Sequence, residues 1–323
     1  MKIVNWNLPE SIANIYWKQN VAQFWTEEEF KISKDLASWA ALSPSEQDVY
    51  KKVLAGLTGL DTHQADDGMP LILLHTEDLR KKAVLSFMGM MEQVHAKSYS
   101  HIFTTLISSE ETTKLLNEWA PNQPHLKRKA EIILSYYHRL FTPNPSPYDK
   151  YMAHVMSVFL ESYLFYSGFY FPVYLAGQGK MTTSGEVIRK IIIDESIHGS
   201  FVGFVAQELR NELTEEARDK ADVEMYRVLE SLFANEVAYT HEIYDQIGIA
   251  DDVINYVKYN ANRALQNLGF PPYYEHSPIN PIVENGINTD TKNHDFFSQK
   301  GDGYVIALNV EPLTDEDFKF PNL

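Results

Sequence analysis

The chain has 323 residues, of which 44% are hydrophobic and 13% aromatic, and its formal net charge at pH 7 is −16. A chain of this length and apolar content can bury one large core or two ordinary ones. The strong negative charge argues against nucleic acid and anionic membrane surfaces as partners, because both would repel it.

The chain contains no cysteine, which excludes disulfides. Residues 1–6 lack the apolar core region of a signal peptide, so the expected compartment is the cytoplasm. The longest apolar stretch is interrupted by His154, Glu161 and Pro172 and is too short between them to cross a membrane. We expect this stretch to form a helix that is buried on all sides.

The first strong helix start follows a tryptophan-rich N-terminal region that has short helical signals and no strong period. Ser43 is a good N-cap, Pro44 suits the first helical position and Glu46 completes a capping box. The helix carries Asp61 behind an apolar row at steps of four, namely Val49, Val53 and Leu57. We expect it to stop before the Gly-Met-Pro sequence at 68–70.

The next helix places a carboxylate, an imidazole and a phenol on one stripe. We expect Thr76 to cap it, and its periodicity extends to about Ser108. At about 100° per residue, Glu92, His95 and Tyr99 nearly eclipse one another. The rest of the stripe is apolar and consists of Val84, Met88, Ile102 and Leu106. A charged group is therefore expected to point into the core.

The middle of the chain continues the helical pattern. Two amphipathic helices are expected near 110–119 and 124–141, and a proline-rich connection follows at 142–147. An aromatic run then carries Glu161 in its middle. We expect the helix formed by this run to end between residues 172 and 177.

A second Glu-x-x-His motif lies in the helix after that, for which residues 183–186, Thr-Ser-Gly-Glu, offer a capping box. Glu195 and His198 share a stripe whose other members are Ile188, Ile191, Val202 and Val205. Asp194 points about 100° away from Glu195, so we do not expect it to be a metal ligand. We expect a carboxylate in that position to accept a hydrogen bond from the second N–H of a ligating histidine.

The last helices are expected at 214–246 and 251–268, and no convincing period-2 strand is present. The sequence therefore predicts an all-α protein. Beyond Phe270 the pattern dissolves into Pro, Asn, Asp and Gly, and the final acidic and aromatic stretch cannot bury a core of its own. We expect a helical domain over 1–290 and a flexible C-terminal tail over 291–323 that becomes ordered on a partner.

The two halves of the helical region repeat one arrangement. Glu92 lies 31 residues after Asp61, and Glu195 lies 34 residues after Glu161. Asp61 and Glu161 are 100 residues apart, and Glu92 and Glu195 are 103 residues apart. This agreement indicates a degenerate internal repeat of a helix pair.

One acid from each of two helices, together with Glu-x-x-His from each of two others, is the ligand set of di-iron and di-manganese carboxylate bundles. Four buried carboxylates without compensation would cost several kcal/mol each, more than a domain's net stability of about 5–15 kcal/mol. No Lys or Arg lies on these stripes, whereas two divalent ions would neutralise the acids. Oxygen ligands with one imidazole per ion suit iron or manganese, and the lack of thiolate argues against structural zinc.

The chain resembles the small, radical-generating subunit of class Ib ribonucleotide reductase over nearly its whole length. The most specific segments are Met91-Glu92-Gln93-Val94-His95-Ala96-Lys97-Ser98-Tyr99-Ser100, Phe159-Leu160-Glu161-Ser162, Phe165-Tyr166-Ser167-Gly168, Asp194-Glu195-Ser196-Ile197-His198-Gly199 and Asn293-His294-Asp295-Phe296-Phe297. The tyrosine four residues after the first histidine, with Asp as the first ligand, distinguishes this family from ferritins, desaturases and diiron monooxygenases. The resemblance implies a ferritin-like helical bundle.

The resemblance also implies roles for individual residues. One metal ion would be held by Asp61, Glu92 and His95, and the other by Glu161, Glu195 and His198, with Glu92 and Glu195 placed to bridge the two ions. Tyr99 resembles the radical tyrosine of the family. Asp194 resembles the carboxylate that links the first histidine to an N-terminal tryptophan, here Trp25.

Partners follow from the same resemblance. Tyr304 resembles the tail tyrosine that passes the oxidising equivalent to the large catalytic subunit, and the end of the tail, with Phe318, resembles the docking peptide. The family more often has Trp at the site of Phe318. A homodimer is implied and, if the metal is manganese, so is a reduced flavodoxin-like protein that supplies the oxidant.

Two rival functions use the same bundle. A diiron oxidase or fatty-acyl desaturase would need an open apolar channel to the metals and no functional C-terminal peptide. Metal storage would not need the long tail or the additional helices. The absence of cysteine favours the radical subunit, because the reduction of ribonucleotides needs thiols that this chain lacks.

Overall fold

The computed structural model describes residues 2–8 and 11–288, and within these ranges it is helical and contains no strand. The all-α prediction is confirmed. The α-helices are α1 (Ile12–Gln23), α2 (Leu36–Ala41), α3 (Pro44–His63), α4 (Met69–Leu74), α5 (Leu79–Leu106), α6 (Ser109–Thr113), α7 (Ala120–Asn122), α8 (Pro124–Tyr137), α9 (Pro147–Phe159), α10 (Tyr166–Gly177), α11 (Thr182–Glu212), α12 (Glu215–Tyr244), α13 (Ala250–Asn267) and α14 (Pro281–Asn288).

Three π-helical segments and several 3₁₀ turns join these helices. The π segments are Gln64–Gly68, Lys114–Trp119 and Leu160–Leu164, and the 3₁₀ turns are Glu27–Glu29, Ile32–Asp35, His138–Leu140 and Asp245–Ile247. Segment Gln64–Gly68 follows α3, and segment Leu160–Leu164 lies between α9 and α10. π-Helical turns are rare and frequently occur at functional sites.

The core is built from two helix pairs and a surrounding layer. Helix α5 packs along α3, and α11 packs along α9 and its π-helical continuation. Helices α5 and α11 also contact each other, while α12 and α13 cover the outside of the second pair. The apolar rows predicted on α3, α5 and α11 face this core, where Val49, Val84 and Ile188 are fully buried.

The start of α3 follows the sequence prediction. The Ser43 hydroxyl accepts a hydrogen bond from the Glu46 N–H at 3.2 Å, and the Glu46 carboxylate accepts one from the Ser43 N–H at 2.7 Å. The predicted capping box is therefore confirmed. The predicted stop is confirmed only for regular α-helix, because the chain continues through the π-helical segment into α4 without leaving helical geometry.

Two predicted N-caps are wrong. Helix α5 is capped by Asp78, whose carboxylate accepts hydrogen bonds from the N–H groups of Arg80 and Lys81. The Thr76 hydroxyl instead donates a hydrogen bond to the Ile72 carbonyl in α4. Helix α11 begins one residue before Thr183, so Thr183 lies in its first turn and cannot be its cap. In both cases a carboxylate, and not the threonine expected from the sequence, accepts the hydrogen bonds of the first helical N–H groups.

The cap of α11 comes from a distant part of the chain. The Asp35 carboxylate accepts from the Thr183 N–H at 3.1 Å and from the Ser184 N–H at 2.7 Å, and it also accepts from the Ser184 hydroxyl. Asp35 is only 2% exposed. A buried carboxylate thus satisfies the free N–H groups and the positive end of the helix dipole at the start of α11.

The end of the described chain contains one helix that the sequence analysis missed. No helix is predicted from the sequence beyond Phe270, yet α14 forms and packs on α10. The two helices approach closely enough that a Cβ added at Gly177 would lie 2.0 Å from the Ile282 carbonyl oxygen. Packing on α10 stabilises a short helix whose local sequence signal is weak.

Within the described ranges, none of the helices is long and apolar enough to cross a membrane.

Replacing Asp35 by Ala should destabilise the protein by about 1–3 kcal/mol, because the change leaves buried N–H groups at the start of α11 without an acceptor. Urea unfolding of the metal-free protein measures the loss. Asp35→Asn is the matched control, since an amide oxygen still accepts hydrogen bonds, and it should recover much of the difference. Equal stability of Asp35→Ala and the unmodified chain would contradict the assigned cap.

Candidate metal centre

The structure brings the six predicted metal ligands together in the core, where each is 0% exposed. They come from four helical segments: α3, α5, the π-helical segment Leu160–Leu164 and α11. Their positions are Asp61, Glu92, His95, Glu161, Glu195 and His198. They form two overlapping groups of four, and the ligand atoms within each group all lie within 4.8 Å of one another.

The first group surrounds His95. Its Nδ1 atom lies 3.3 Å from Asp61 Oδ1, 3.0 Å from Glu195 Oε1 and 3.6 Å from Glu92 Oε2. One imidazole nitrogen and three carboxylates thus converge from three helices on one position.

The second group surrounds His198. Its Nδ1 atom lies 2.8 Å from Glu92 Oε1, 3.5 Å from Glu161 Oε2 and 3.6 Å from Glu195 Oε2. Glu92 and Glu195 therefore each direct one oxygen toward His95 and the other toward His198. This is the geometry expected of two carboxylates that bridge a pair of ions.

The donor atoms of this cluster fit two divalent ions. Among the described residues, both carboxylate oxygens of Asp61, Glu92 and Glu195 lack a hydrogen-bond partner, as does Nδ1 of each histidine. Buried polar atoms are rarely left in this state unless something absent from the hydrogen-bond network binds them. The ion pairs of these acids within the described ranges involve histidine and no Lys or Arg.

In the metal-free site, protons bound to these side chains offset part of the negative charge of the buried carboxylates. Burial, reinforced by the neighbouring carboxylates, raises the pKa of Asp61 and Glu161 well above their usual range. Burial lowers the pKa of His95 and His198, but the acids that surround them outweigh this effect and raise both values. Ligands bind metal ions in their deprotonated forms, so protons and metal ions compete for this cluster.

Asp194 lies outside the cluster, as its position on the helix predicts, and connects two aromatic side chains. Its Oδ2 atom accepts a hydrogen bond from Trp25 Nε1 at 2.7 Å and lies 3.0 Å from His95 Nε2. Because a carboxylate only accepts, Nε2 carries a hydrogen, and Nδ1 is the nitrogen that faces the cluster and would bind a metal ion. Trp25 is fully buried, and its ring stacks 5.9 Å from the His95 ring.

Tyr99 lies one turn after His95 in a dry environment. It is 0% exposed, and among the described residues its hydroxyl has no hydrogen-bond partner. Burial, with the charge of Asp61 as the next cause, raises the pKa of Tyr99 well above its usual range. The following turn of α5 adds the buried side chains Ile102 and Phe103, and Leu106 packs on the core while partly exposed.

A buried amide that is not among the predicted site residues lies beside the cluster. Gln64 donates from Nε2 to the Glu161 carboxylate and to the Ser157 hydroxyl, the latter at 2.9 Å. Its Oε1 atom accepts from the Tyr137 hydroxyl at 2.7 Å. Gln64 follows Asp61 by three residues, so helical spacing could have placed it near the ligands.

A buried ion pair at the end of the π-helical segment Leu160–Leu164 is also absent from the sequence predictions. Lys129 Nζ lies 2.6 Å from Glu236 Oε1, and both side chains are at most 1% exposed. Lys129 also donates to the Leu164 carbonyl at 3.2 Å, at the end of the π-helical segment that carries Glu161. A lysine on the apolar face of an amphipathic helix was the available sequence signal.

Two predicted functional residues, Tyr304 and Phe318, lie outside the described residues, as does the whole predicted tail 291–323.

The helical bundle and the paired carboxylate-histidine groups define a ferritin-like protein of the dimetal-carboxylate class. The model of the family "Ribonucleotide reductase, small chain" matches residues 3–281, and the chain belongs to this family.

Individual relatives match over almost the full length. The ribonucleoside-diphosphate reductase subunit beta of Bacillus subtilis is 49% identical over 318 residues, which cover 98% of this chain and 95% of the relative. Subunit beta nrdF1 of Mycobacterium tuberculosis is 40% identical, with 98% and 97% covered. The crystal structure of dimanganese(II)-NrdF from Streptococcus sanguinis aligns with a TM-score of 0.83 at 40% identity and covers 89% of this chain and 99% of that one.

Metal binding should release protons, because burial and the neighbouring carboxylates raise the pKa of Asp61 and Glu161 and so favour their protonated forms in the metal-free cluster. Affinity should therefore rise with pH, by about tenfold per unit for each proton displaced by an ion. Calorimetric titration with Mn²⁺ in buffers of different ionisation enthalpy counts the protons. Binding that neither releases protons nor depends on pH between 6 and 8 would contradict this charge balance.

Proposed function

We propose that this chain is the radical-generating small subunit of a class Ib ribonucleoside-diphosphate reductase, with Tyr99 as its radical residue. Membership in the small-chain family supports the activity, and the dimetal-carboxylate arrangement supports the chemistry. The observation that carries the proposal is the position of Glu92 and Glu195, each with one oxygen toward His95 and the other toward His198.

In this proposal Asp61, Glu92 and His95 hold one ion, and Glu161, Glu195 and His198 hold the other, with Glu92 and Glu195 shared. Two iron or two manganese ions suit this set of oxygen and nitrogen donors. The Streptococcus sanguinis relative is a dimanganese protein. When bound, the ions would activate an oxygen species, which supplies the oxidising equivalent, and the protein fixes where it is delivered.

The surroundings of Tyr99 suit a radical that persists. Its raised pKa means that the phenol is protonated before oxidation, so the loss of one electron and one proton leaves a neutral phenoxyl group. The complete burial of its side chain and the neighbouring apolar residues Ile102 and Phe103 keep water and reductants away from that group.

Transfer of the oxidising equivalent uses the connection from His95 through Asp194 to Trp25, followed by Tyr304 in the tail. The hydrogen bonds of Asp194 to both ring systems support the first part of this path. The reduction of ribonucleotides takes place in a large catalytic subunit, because this chain has no cysteine to supply thiols.

The proposal divides the chain into a helical domain over 1–290 and a tail over 291–323 that docks on the large subunit, with Phe318 as an aromatic anchor. The subunit is a homodimer, as is usual for the family. With manganese, a reduced flavodoxin-like protein supplies the oxidant. All of these partners would meet in the cytoplasm.

Replacing Tyr99 by Phe should leave both ions bound and abolish the tyrosyl radical, because only the oxidisable hydroxyl is removed. Electron paramagnetic resonance with parallel metal analysis measures both quantities. Tyr170→Phe is the matched control, since Tyr170 is also fully buried with no hydrogen-bond partner for its hydroxyl in the described chain. Loss of metal in Tyr99→Phe would make Tyr99 a structural residue, and a retained radical would place it elsewhere.

Removing residues 304–323 should leave the metal content and the radical unchanged and abolish turnover with the large subunit, because the docking peptide and Tyr304 are lost. Ribonucleotide reduction assayed with the large subunit measures turnover, and a peptide with the sequence of 304–323 should inhibit the full-length protein. Full turnover of the shortened chain would contradict the roles assigned to Tyr304 and to the docking tail, whereas a full-length chain that supports no ribonucleotide reduction would favour the diiron oxidase or desaturase function.

A further inference from the structure

Glu161 differs from the other three carboxylates of the cluster, because one of its oxygens is held by a side chain. Both oxygens of Asp61, its counterpart in the internal repeat, lack a hydrogen-bond partner among the described residues. In Glu161 only Oε2 lacks a hydrogen-bond partner, because Oε1 accepts a hydrogen bond from Gln64 Nε2. The two halves of the repeat are therefore unequal at this position.

The orientation of the Gln64 amide is fixed by Tyr137. The Tyr137 hydroxyl donates to Gln64 Oε1 at 2.7 Å, and burial raises the pKa of Tyr137 well above its usual range, so the phenol remains a donor. With Oε1 used in this way, Nε2 must face Ser157 and Glu161. The two N–H bonds of the amide match these two acceptors, and a flipped amide would place its oxygen against the Glu161 carboxylate, which only accepts hydrogen bonds.

Only one oxygen of Glu161 faces the position where a metal ion would bind. Oε2 lies 3.5 Å from His198 Nδ1, on the side where the second group of ligands converges. Oε1 points to Gln64, which is fully buried and cannot move aside into solvent. Glu161 is thus prepared to bind through one oxygen only.

The backbone leaves just enough space for this arrangement. Gly68 ends the π-helical segment that Gln64 begins, and a Cβ added at Gly68 would lie 2.3 Å from Gln64 Oε1 and 2.8 Å from the Tyr137 ring. Any larger residue at 68 would have to displace the amide or the ring.

We propose that Gln64 and Tyr137 are positioning residues that restrict Glu161 to a single coordinating oxygen and so make the two metal positions inequivalent. The proposal rests on the dimetal function proposed above. Neither residue contacts the ions; both act through the orientation of the Glu161 carboxylate. Asp61 has no such restraint among the described residues, so only the ion beside Glu161 should respond when the restraint is removed.

The test uses the full-length protein and Mn²⁺ as the probe. Tyr137→Phe keeps the ring and removes only the donor that orients the amide. We expect the ion beside Glu161 to bind about 10–100-fold more weakly, the usual effect of losing a partner that orients a ligand, and the other ion to bind as before. Electron paramagnetic resonance of unbound Mn²⁺ during titration of metal-free protein measures the two affinities.

The coordination of Glu161 provides a second readout that does not depend on activity. In crystals of manganese-loaded Tyr137→Phe, Glu161 should bind through both oxygens, whereas in the unmodified protein it should bind through Oε2 alone. Gln64→Leu removes the amide itself and should give the same change, which keeps the test open if one variant fails to fold.

Tyr136→Phe is the matched control, because the adjacent hydroxyl on α8 donates to Glu224, at 2.6 Å, and not to Gln64. It should leave both affinities and the coordination of Glu161 unchanged. The proposal would be overturned if both ions bind more weakly by the same factor in Tyr137→Phe, or if Glu161 still binds through a single oxygen there. Gln64 and Tyr137 would then serve only the packing of the core. Failure of the unmodified protein to bind two ions would contradict the proposed function itself, and this inference with it.

Discussion

The burial of four carboxylates around two histidines is the constraint on which the rest of the structure depends. Asp61, Glu92, Glu161 and Glu195 are fully buried, and no Lys or Arg side chain pairs with them within the described chain. Such a cluster is costly unless positive charge enters it, and two divalent ions supply that charge. The long helices, their caps and the outer helices α12 and α13 hold these groups in place.

Much of the site could be predicted because its information is local. Glu92, His95 and Tyr99 fall on one helical stripe, Glu195 and His198 on another, and helical spacing alone turns each set inward. The internal repeat then related Asp61 to Glu161. The direction of Asp194, away from Glu195, followed from the same spacing, and the structure places it between Trp25 and His95.

The missed features depend on residues that are distant in sequence. The cap of α11 is provided by Asp35, 148 residues before Thr183, and the local sequence indicates only the threonine. Lys129 and Glu236 meet only because α8 and α12 pack together. The asymmetry at Glu161 arises from Gln64 and Tyr137, which belong to one half of the repeat and act on the other, a relation that no local pattern reveals.

Anomalous diffraction from crystals of the manganese-loaded protein tests the central claim most directly, because it locates each ion independently of activity. We expect two peaks of similar height, one among Asp61, Glu92, Glu195 and His95 and the other among Glu92, Glu161, Glu195 and His198. Glu92 and Glu195 should each contact both ions. A single peak, or peaks away from these residues, would contradict the account.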